Sequence, residues 1–371
     1  MKSTAALSTD AGLVPVHASL GADRQMSDSI TRAVGNPHPK QRWALTMVCA
    51  LIVTVVGISG IEMVWRLDGY QPTVPNTPAL WAFHRRRLDH AGERGVALLG
   101  TSRMLVDFSM DAFGKRFPSL DAAQLAIESS SPVKILEDLA ADPRFRGTVI
   151  SEFCEEAFVP HPQPKYFKEG FVELSHQSLS WATELNDRID GSIQERLCCR
   201  NPDFGLNKVF VQWVQNSGWP IPTRIRVRFD RHQLVDYRIG NLDEARAETY
   251  GRVRALYAEN MSSLPTPDDW LKQALQIESV LQRFRAKGCR VAFIRFPCTN
   301  ETWDLENRYF PKDRCWDRFA AATSAVTIHF REVRKLAHVD CPDSCHLDFR
   351  NTDDFTNNLL DELVKKGFFG K

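Results

Sequence analysis

No sign of charge dominates this chain: 47 Lys and Arg stand against 46 Asp and Glu. A balance this even supplies no global field to recruit nucleic acid or an anionic surface, so charge-based recognition has to be local. No Walker, dinucleotide or nucleic-acid motif rises above noise, and no nucleic-acid partner is expected. Paired short CxxC units are also lacking, so the cysteines do not spell a structural zinc site. Long apolar runs are scarce, with only one in 371 residues. What remains is an ordinary globular composition, 43% hydrophobic, enough for one generous core or two small ones.

The single apolar run is Trp43 to Ile61, WALTMVCALIVTVVGISGI, nineteen residues without a charge. That length crosses the hydrocarbon layer as a helix. A core helix would carry a polar face, and this one has only isolated Thr and Ser. A cleaved signal would begin nearer Met1 and end at a small-residue site, whereas this run leads into Glu62-Met63-Val64-Trp65. We therefore expect a retained transmembrane helix over 42–65, with Trp43 and Trp65 in the two interfaces. Arg32, Lys40 and Arg42 precede it, while Glu62, Arg66 and Asp68 follow, which predicts a cytoplasmic N-terminus; Arg85-Arg86-Arg87 runs against that bias from farther away. Residues 1–41, rich in Ala, Ser, Asp and Gly, are expected to be a disordered tail. The prolines at 72, 75 and 78 predict an extended stalk over 66–80.

Beyond the stalk, residues 81–371 read as an α/β domain. Val96-Ala97-Leu98-Leu99, Gln124-Leu125-Ala126-Ile127 and Thr148-Val149-Ile150-Ser151 are strand candidates, and the VKILEDLAAD helix lies between the second and third. Strand, helix, strand order predicts a parallel sheet. Residues 165–265 break the rhythm and are expected to form a helical insertion or cap. Within it, Arg224 to Phe229 alternates arginine with apolar residues; the arginine row suits an anionic glycan or lipid headgroup, or simply a solvated strand face. A helix over Asp268–Lys287 stopped by Gly288, a strand over Arg290–Phe296 and a last helix over 353–366 complete the pattern.

Two short stretches carry chemistry. Gly100-Thr101-Ser102-Arg103 follows a buried strand and opens a helix, where a serine is exposed and its own N–H can stabilise an oxyanion. Asp343-Ser344-Cys345-His346 precedes the last helix, and an Asp three residues before a His can orient the imidazole as general base. Each alone also reads as a plain turn or cap; together they predict a Ser102, Asp343, His346 triad. Cys298, Cys315, Cys341 and Cys345 cluster near the proposed acid and suggest disulfides in an oxidising compartment, with zinc as the rival. Cys198-Cys199 have no evident partner, and His329 and His338 read as ordinary residues near the sheet. Trp181, Trp213, Trp219 and Trp316 form either a sugar platform or packing. No cofactor and no metal are called for.

With VALLGTSRM, QLAIESSSPVKILEDLAADPRFRGTVI, VAFIRFP and CPDSCHLDFRNTDDFT, roughly residues 95–152 and 290–360, the chain resembles the SGNH/GDSL hydrolase superfamily, in particular membrane-anchored bacterial members found with exopolysaccharide and acyltransferase systems. The resemblance implies a flavodoxin-like three-layer α/β sandwich with a parallel sheet, Ser102 as nucleophile, and Asp343 with His346 as its relay. It puts the second-block glycine at or near Ser129, so Ser102 and Ser129 would give the backbone oxyanion donors. The third-block asparagine has no counterpart in Phe153-Cys154-Glu155-Glu156, and one missing donor costs about a hundredfold or more in rate. The implied activity is a serine esterase or O-acyltransferase acting on acyl, chiefly acetyl, groups of a cell-envelope glycan, in the bacterial inner membrane with the domain periplasmic. Its partners would be an acylated glycan or acyl donor, and a membrane-bound O-acyltransferase. The second reading is a non-catalytic scaffold that binds glycan or docks an acyltransferase or export complex.

Overall fold

A computed structural model of the chain describes residues 43–159, 170–177, 181–201, 209–211, 214–215, 222–260 and 264–370. The expected tail at 1–41, and Trp213 and Trp219, lie outside the described residues, as does the side chain of Trp181.

Trp43–Leu67 forms one helix, α1, long and apolar enough to cross a membrane. The folded unit spans Ser59–Lys371. Helix α2 (Pro78–Ala91) opens on Thr77, whose side chain accepts the Leu80 N–H, with proline in the first turn where its missing donor costs nothing. Strands β1 (Gly95–Leu99), β2 (Asp121–Gln124) and β3 (Thr148–Glu152) precede a small antiparallel pair, β4 (Ile225–Val227) and β5 (Gln233–Val235). Strands β6 (Val291–Arg295) and β7 (Val326–His329) complete the set. The helices that matter for the site are α3 (Ser102–Asp107), α4 (Val133–Ala141), α5 (Trp181–Gln194), α6 (Leu242–Asn260), α7 (Glu278–Ala286), α8 (Asn300–Tyr309) and α9 (Phe349–Lys365).

The main sheet runs β2-β1-β3-β6-β7, and every pairing in it is parallel. Its strands are apolar on both faces because both are covered. Ala97, Leu99, Val149 and Phe293 face one core with α2, α4 and α7. Val96, Leu98, Ile150 and Ile294 face the other with α3 and α9. Alternation along each strand thus feeds two helical layers. The chain winds from β1 outward to β2, then crosses back to β3, so the winding direction reverses between β1 and β3. In a parallel sheet a reversal of this kind is where the loops leaving neighbouring strands part at the carboxyl edge.

Several expectations are revised. The Gln124–Ile127 run supplies the end of β2 rather than its body, and its later residues hold on through Leu125 N–H to Leu98 O (2.8 Å) and Ile127 N–H to Gly100 O (3.0 Å). The helix over 268–287 is broken by a 3₁₀ turn at Leu275–Ile277, while Gly288 (φ 74°) ends it as anticipated. The stretch at 70–77 is packed on the domain: Tyr70 and Val74 are buried, and Val74 N–H donates to Val227 O at 2.9 Å. Proline spacing favours an extended chain, and the edge of the β4–β5 pair uses that extension. The Arg85-Arg86-Arg87 cluster is largely absorbed by the fold, since Arg85 is buried against Asp89, Asp138 and Asp142 and Arg87 pairs with Asp121. In the alternating strand, Arg226 donates to Pro72 O and Arg228 pairs with Asp111 and Asp230. Those arginines bind the protein itself.

The entries to β1 and β3 pass so closely that a Cβ on Gly147 would lie 2.1 Å from the Gly95 carbonyl oxygen. Backbone cannot yield as a flexible side chain does. Gly147→Ala is expected to destabilise the fold by about 1–3 kcal/mol, read as an earlier thermal or denaturant midpoint. A variant as stable as the parent would contradict this packing.

Candidate active site

Helix α3 begins soon after β1 ends, which puts Ser102 at the carboxyl edge of the sheet, where the winding direction reverses. Gly100, at φ 153°, makes the turn; a Cβ there would stand 2.6 Å from Glu152 Cβ. The side chain of Glu152 closes over the first turn of α3. Its carboxylate accepts the Thr101 N–H (2.6 Å), the Thr101 hydroxyl (2.9 Å) and the Met104 N–H (3.4 Å). A carboxylate there satisfies donors that no helical carbonyl can reach and is favoured by the helix dipole.

The other half of the site arrives from the far end of the chain. His346 Nε2 lies 2.8 Å from Ser102 Oγ, and His346 Nδ1 lies 2.8 Å from Asp343 Oδ2. Asp343 also accepts the backbone N–H groups of Cys345 (2.9 Å) and His346 (2.7 Å). These bonds form because Ser344 adopts the left-handed conformation (φ 68°), curling the turn around the carboxylate. Ser344 is held in turn by Thr302 of α8, hydroxyl to hydroxyl at 2.6 Å. The three residues singled out in the sequence therefore meet. Ser129, the fourth, sits exposed in the loop after β2, at the same sheet edge, with φ 52°. A residue in that conformation occupies a position where glycine is at ease.

Two features without any local sequence signal bracket the triad. Asp107, at the end of α3, is fully buried, and its Oδ1 accepts the Leu347 N–H at 2.8 Å. This bond ties the helix carrying Ser102 to the segment carrying His346. The second is a brace from the middle region: the Thr249 hydroxyl donates to Asp343 Oδ2 (3.0 Å), the Tyr237 phenol stands beside the same carboxylate, and Arg246 donates to Pro342 O (2.9 Å). Tyr237, Val235 and Ala245 also pack on Val106 of α3. Arg231 anchors the region to the end of β2, its buried guanidinium donating to the carbonyls of Gln124 and Ala126 and to Asn76.

Behind Ser102 runs a buried ionic chain. Arg103 and Arg295 share Glu306, Arg295 also holds Glu155 at 2.9 Å, and Cys298 donates to Glu306 at 3.0 Å. Arg103 Nε is buried without a hydrogen-bond partner among the described residues. The disulfides anticipated among Cys298, Cys315, Cys341 and Cys345 are not found, and all nine cysteines are free. Among the described residues no group of His, Cys, Asp and Glu is disposed to hold a metal. Trp316 is core, and His329 is buried and caps the turn after β7 through Arg331 N–H.

Electrostatics divides the site's ionisable groups. For His346, burial opposes the imidazolium, but Cys345 and the Asp343 carboxylate outweigh it and hold the proton well above the usual 6.5. Burial likewise opposes the charged form of Asp343, yet His346 and the two amides keep its carboxyl well below the ordinary range. Asp107 goes the other way. Burial lifts it to about 8, against the pull of His346, the Leu347 amide and Arg103.

Comparison with known proteins finds no family model and no curated protein that matches the chain.

The Asp107 shift has a consequence for stability. Its folded value lies above the unfolded one, so the folded state holds the extra proton, and stability falls as pH rises between about 4 and 8. Asp107→Asn, neutral throughout, removes that slope. Denaturation of variant and parent across pH 4–9 is expected to show the difference moving in the variant's favour up to about pH 8 and then levelling. A constant difference would show that Asp107 does not hold this proton.

Proposed function

We propose that the domain is an SGNH-type hydrolase with a flavodoxin-like three-layer fold, a serine esterase or O-acyltransferase working through an acyl-serine intermediate. The observation that carries this reading is the continuous 2.8 Å contact chain from Ser102 Oγ through His346 to Asp343 at the carboxyl edge of a parallel sheet. Convergence of residues 244 positions apart on that geometry has a direct chemical use.

In the proposed cycle, His346 Nε2 takes the hydroxyl proton as Ser102 Oγ attacks the acyl carbonyl. Asp343 steadies the imidazolium so formed. The tetrahedral oxygen is met by the backbone N–H of Ser102, at the start of α3, and by the backbone at Ser129. Collapse breaks the ester bond, and His346 returns the proton to the departing sugar hydroxyl. Water or a second hydroxyl then attacks the acyl-serine, its proton passing to His346 and back to Ser102.

The substrate in this reading is an acyl, chiefly acetyl, ester on a cell-envelope glycan. The chain would be a single-pass protein of the bacterial inner membrane, its N-terminus cytoplasmic and its domain periplasmic, with a membrane-bound O-acyltransferase as a partner. One observation favours a second reading, in which the domain is a non-catalytic scaffold binding glycan or docking an acyltransferase or export complex. Glu152 puts a buried negative charge at the first turn of α3, where no third-block asparagine is available and where an oxyanion would have to form.

A fluorophosphonate probe decides between them. The enzyme reading expects covalent labelling at Ser102 that is lost in Ser102→Ala, whereas a folded, unlabelled parent contradicts it. Because the base must be neutral and Asp343 holds His346 protonated, the labelling rate is expected to climb with pH through a midpoint above 6.5. Asp343→Asn should move that midpoint down; a midpoint unmoved by the substitution would exclude the relay.

A further inference from the structure

Exposed apolar side chains on the folded unit are not scattered. Among the described residues from 59 onward, every large one lies at 63–67 or 185–214, with Ile225 the one exception. Single exposed leucines need no explanation, but a set confined to two adjoining segments does. Leu185, Ile189 and Ile193 recur at every fourth residue of α5, so they share one face of that helix, and they are 47%, 52% and 39% exposed. Ile189, Ile193 and Leu197 line a shallow open depression of about 470 Å³, flanked by Arg188 and Arg196.

This face adjoins the end of α1. Glu62 accepts the N–H groups of Cys198 and Cys199 at 3.0 and 3.1 Å, and Arg66 donates to Arg196 O at 2.7 Å. Trp65, Tyr70 and Cys198 form a small core on which Val209 also packs. The exit of α5 is thus attached within the last two turns of α1, and Val209 packs beside it. The uncharged run ends at Ile61, and at 1.5 Å per residue Arg66 lies about 8 Å beyond it. The headgroup layer on each side of the hydrocarbon is about 5–8 Å deep. If α1 crosses a bilayer, its attachment to α5 falls inside that layer.

We propose that α5 lies in the lipid headgroup layer, so that the domain rides on the bilayer through an apolar surface of its own. The stripe Leu185, Ile189 and Ile193 enters the acyl boundary, and Arg196, exposed, meets anionic headgroups, while Arg200 is paired with Asp190 of α5. This rests on α1 spanning the membrane and is independent of the catalytic reading.

The test uses the full chain reconstituted into phosphatidylethanolamine–phosphatidylglycerol vesicles, with a benzophenone amino acid in place of Ile189 or, as reference, of the exposed Lys134. Irradiation is expected to give at least about tenfold more lipid adduct at 189 than at 134, and Ile193→Glu should reduce it severalfold. Equal adducts at the two positions, or a cross-link at 189 to a second copy of the chain, would overturn the proposal while leaving the anchor intact. Extraction of the chain from vesicles by alkaline carbonate would instead remove the spanning reading itself, and the proposal with it.

Discussion

Two buried acidic side chains hold α3 in place, and everything else at the carboxyl edge is arranged around that. Glu152, at the end of β3, grips the first turn through Thr101 and Met104. Asp107, at the last turn, receives the Leu347 N–H. One acid ties the short helix to the sheet and the other ties it to the segment bearing His346. A six-residue helix has little stability of its own. Pinned at both ends, it becomes a rigid seat for Ser102, and the 2.8 Å approach of His346 follows.

The same arrangement carries a tension. A helix start is where an oxyanion would be welcomed, yet Glu152 already takes two of the amides there. Arg103, next along the helix, lies buried in the chain with Glu306, Arg295 and Glu155 and supplies positive charge close behind the serine. Buried pairs of this kind add little net stability, because removing both charges from water costs about as much as their attraction returns.

Much of this was legible in advance. Val96–Leu99 and Thr148–Ser151 read as buried strands because a parallel sheet covered on both faces tolerates no polar alternation, and both are central strands. Ser102, Asp343 and His346 stood out because a glycine turn and a three-residue spacing are local signals. Asp107, Glu152, Thr249 and Tyr237 did not, since a buried carboxylate and a surface one are identical in sequence and only tertiary contact distinguishes them. The extended stalk expected over 66–80 did not anticipate that Tyr70 and Val74 are packed on the domain, for a related reason. Proline spacing reports backbone extension, not whether a neighbouring strand edge receives the extended chain. The cysteines were weighed by compartment, and the fold keeps all nine as free thiols.

The middle region is more than a cap, since Thr249, Tyr237 and Arg246 reach the turn holding Asp343 from elements far in sequence from either half of the triad. The account stands or falls on whether Ser102 and His346 act as one unit. A double-mutant cycle on hydrolysis of a p-nitrophenyl acetate ester measures this, with Ser102→Ala and His346→Ala made singly and together. The account predicts that each single change removes nearly all serine-dependent turnover and that the double variant loses no more than either. Independent, additive losses, or full turnover in either single variant, would contradict it.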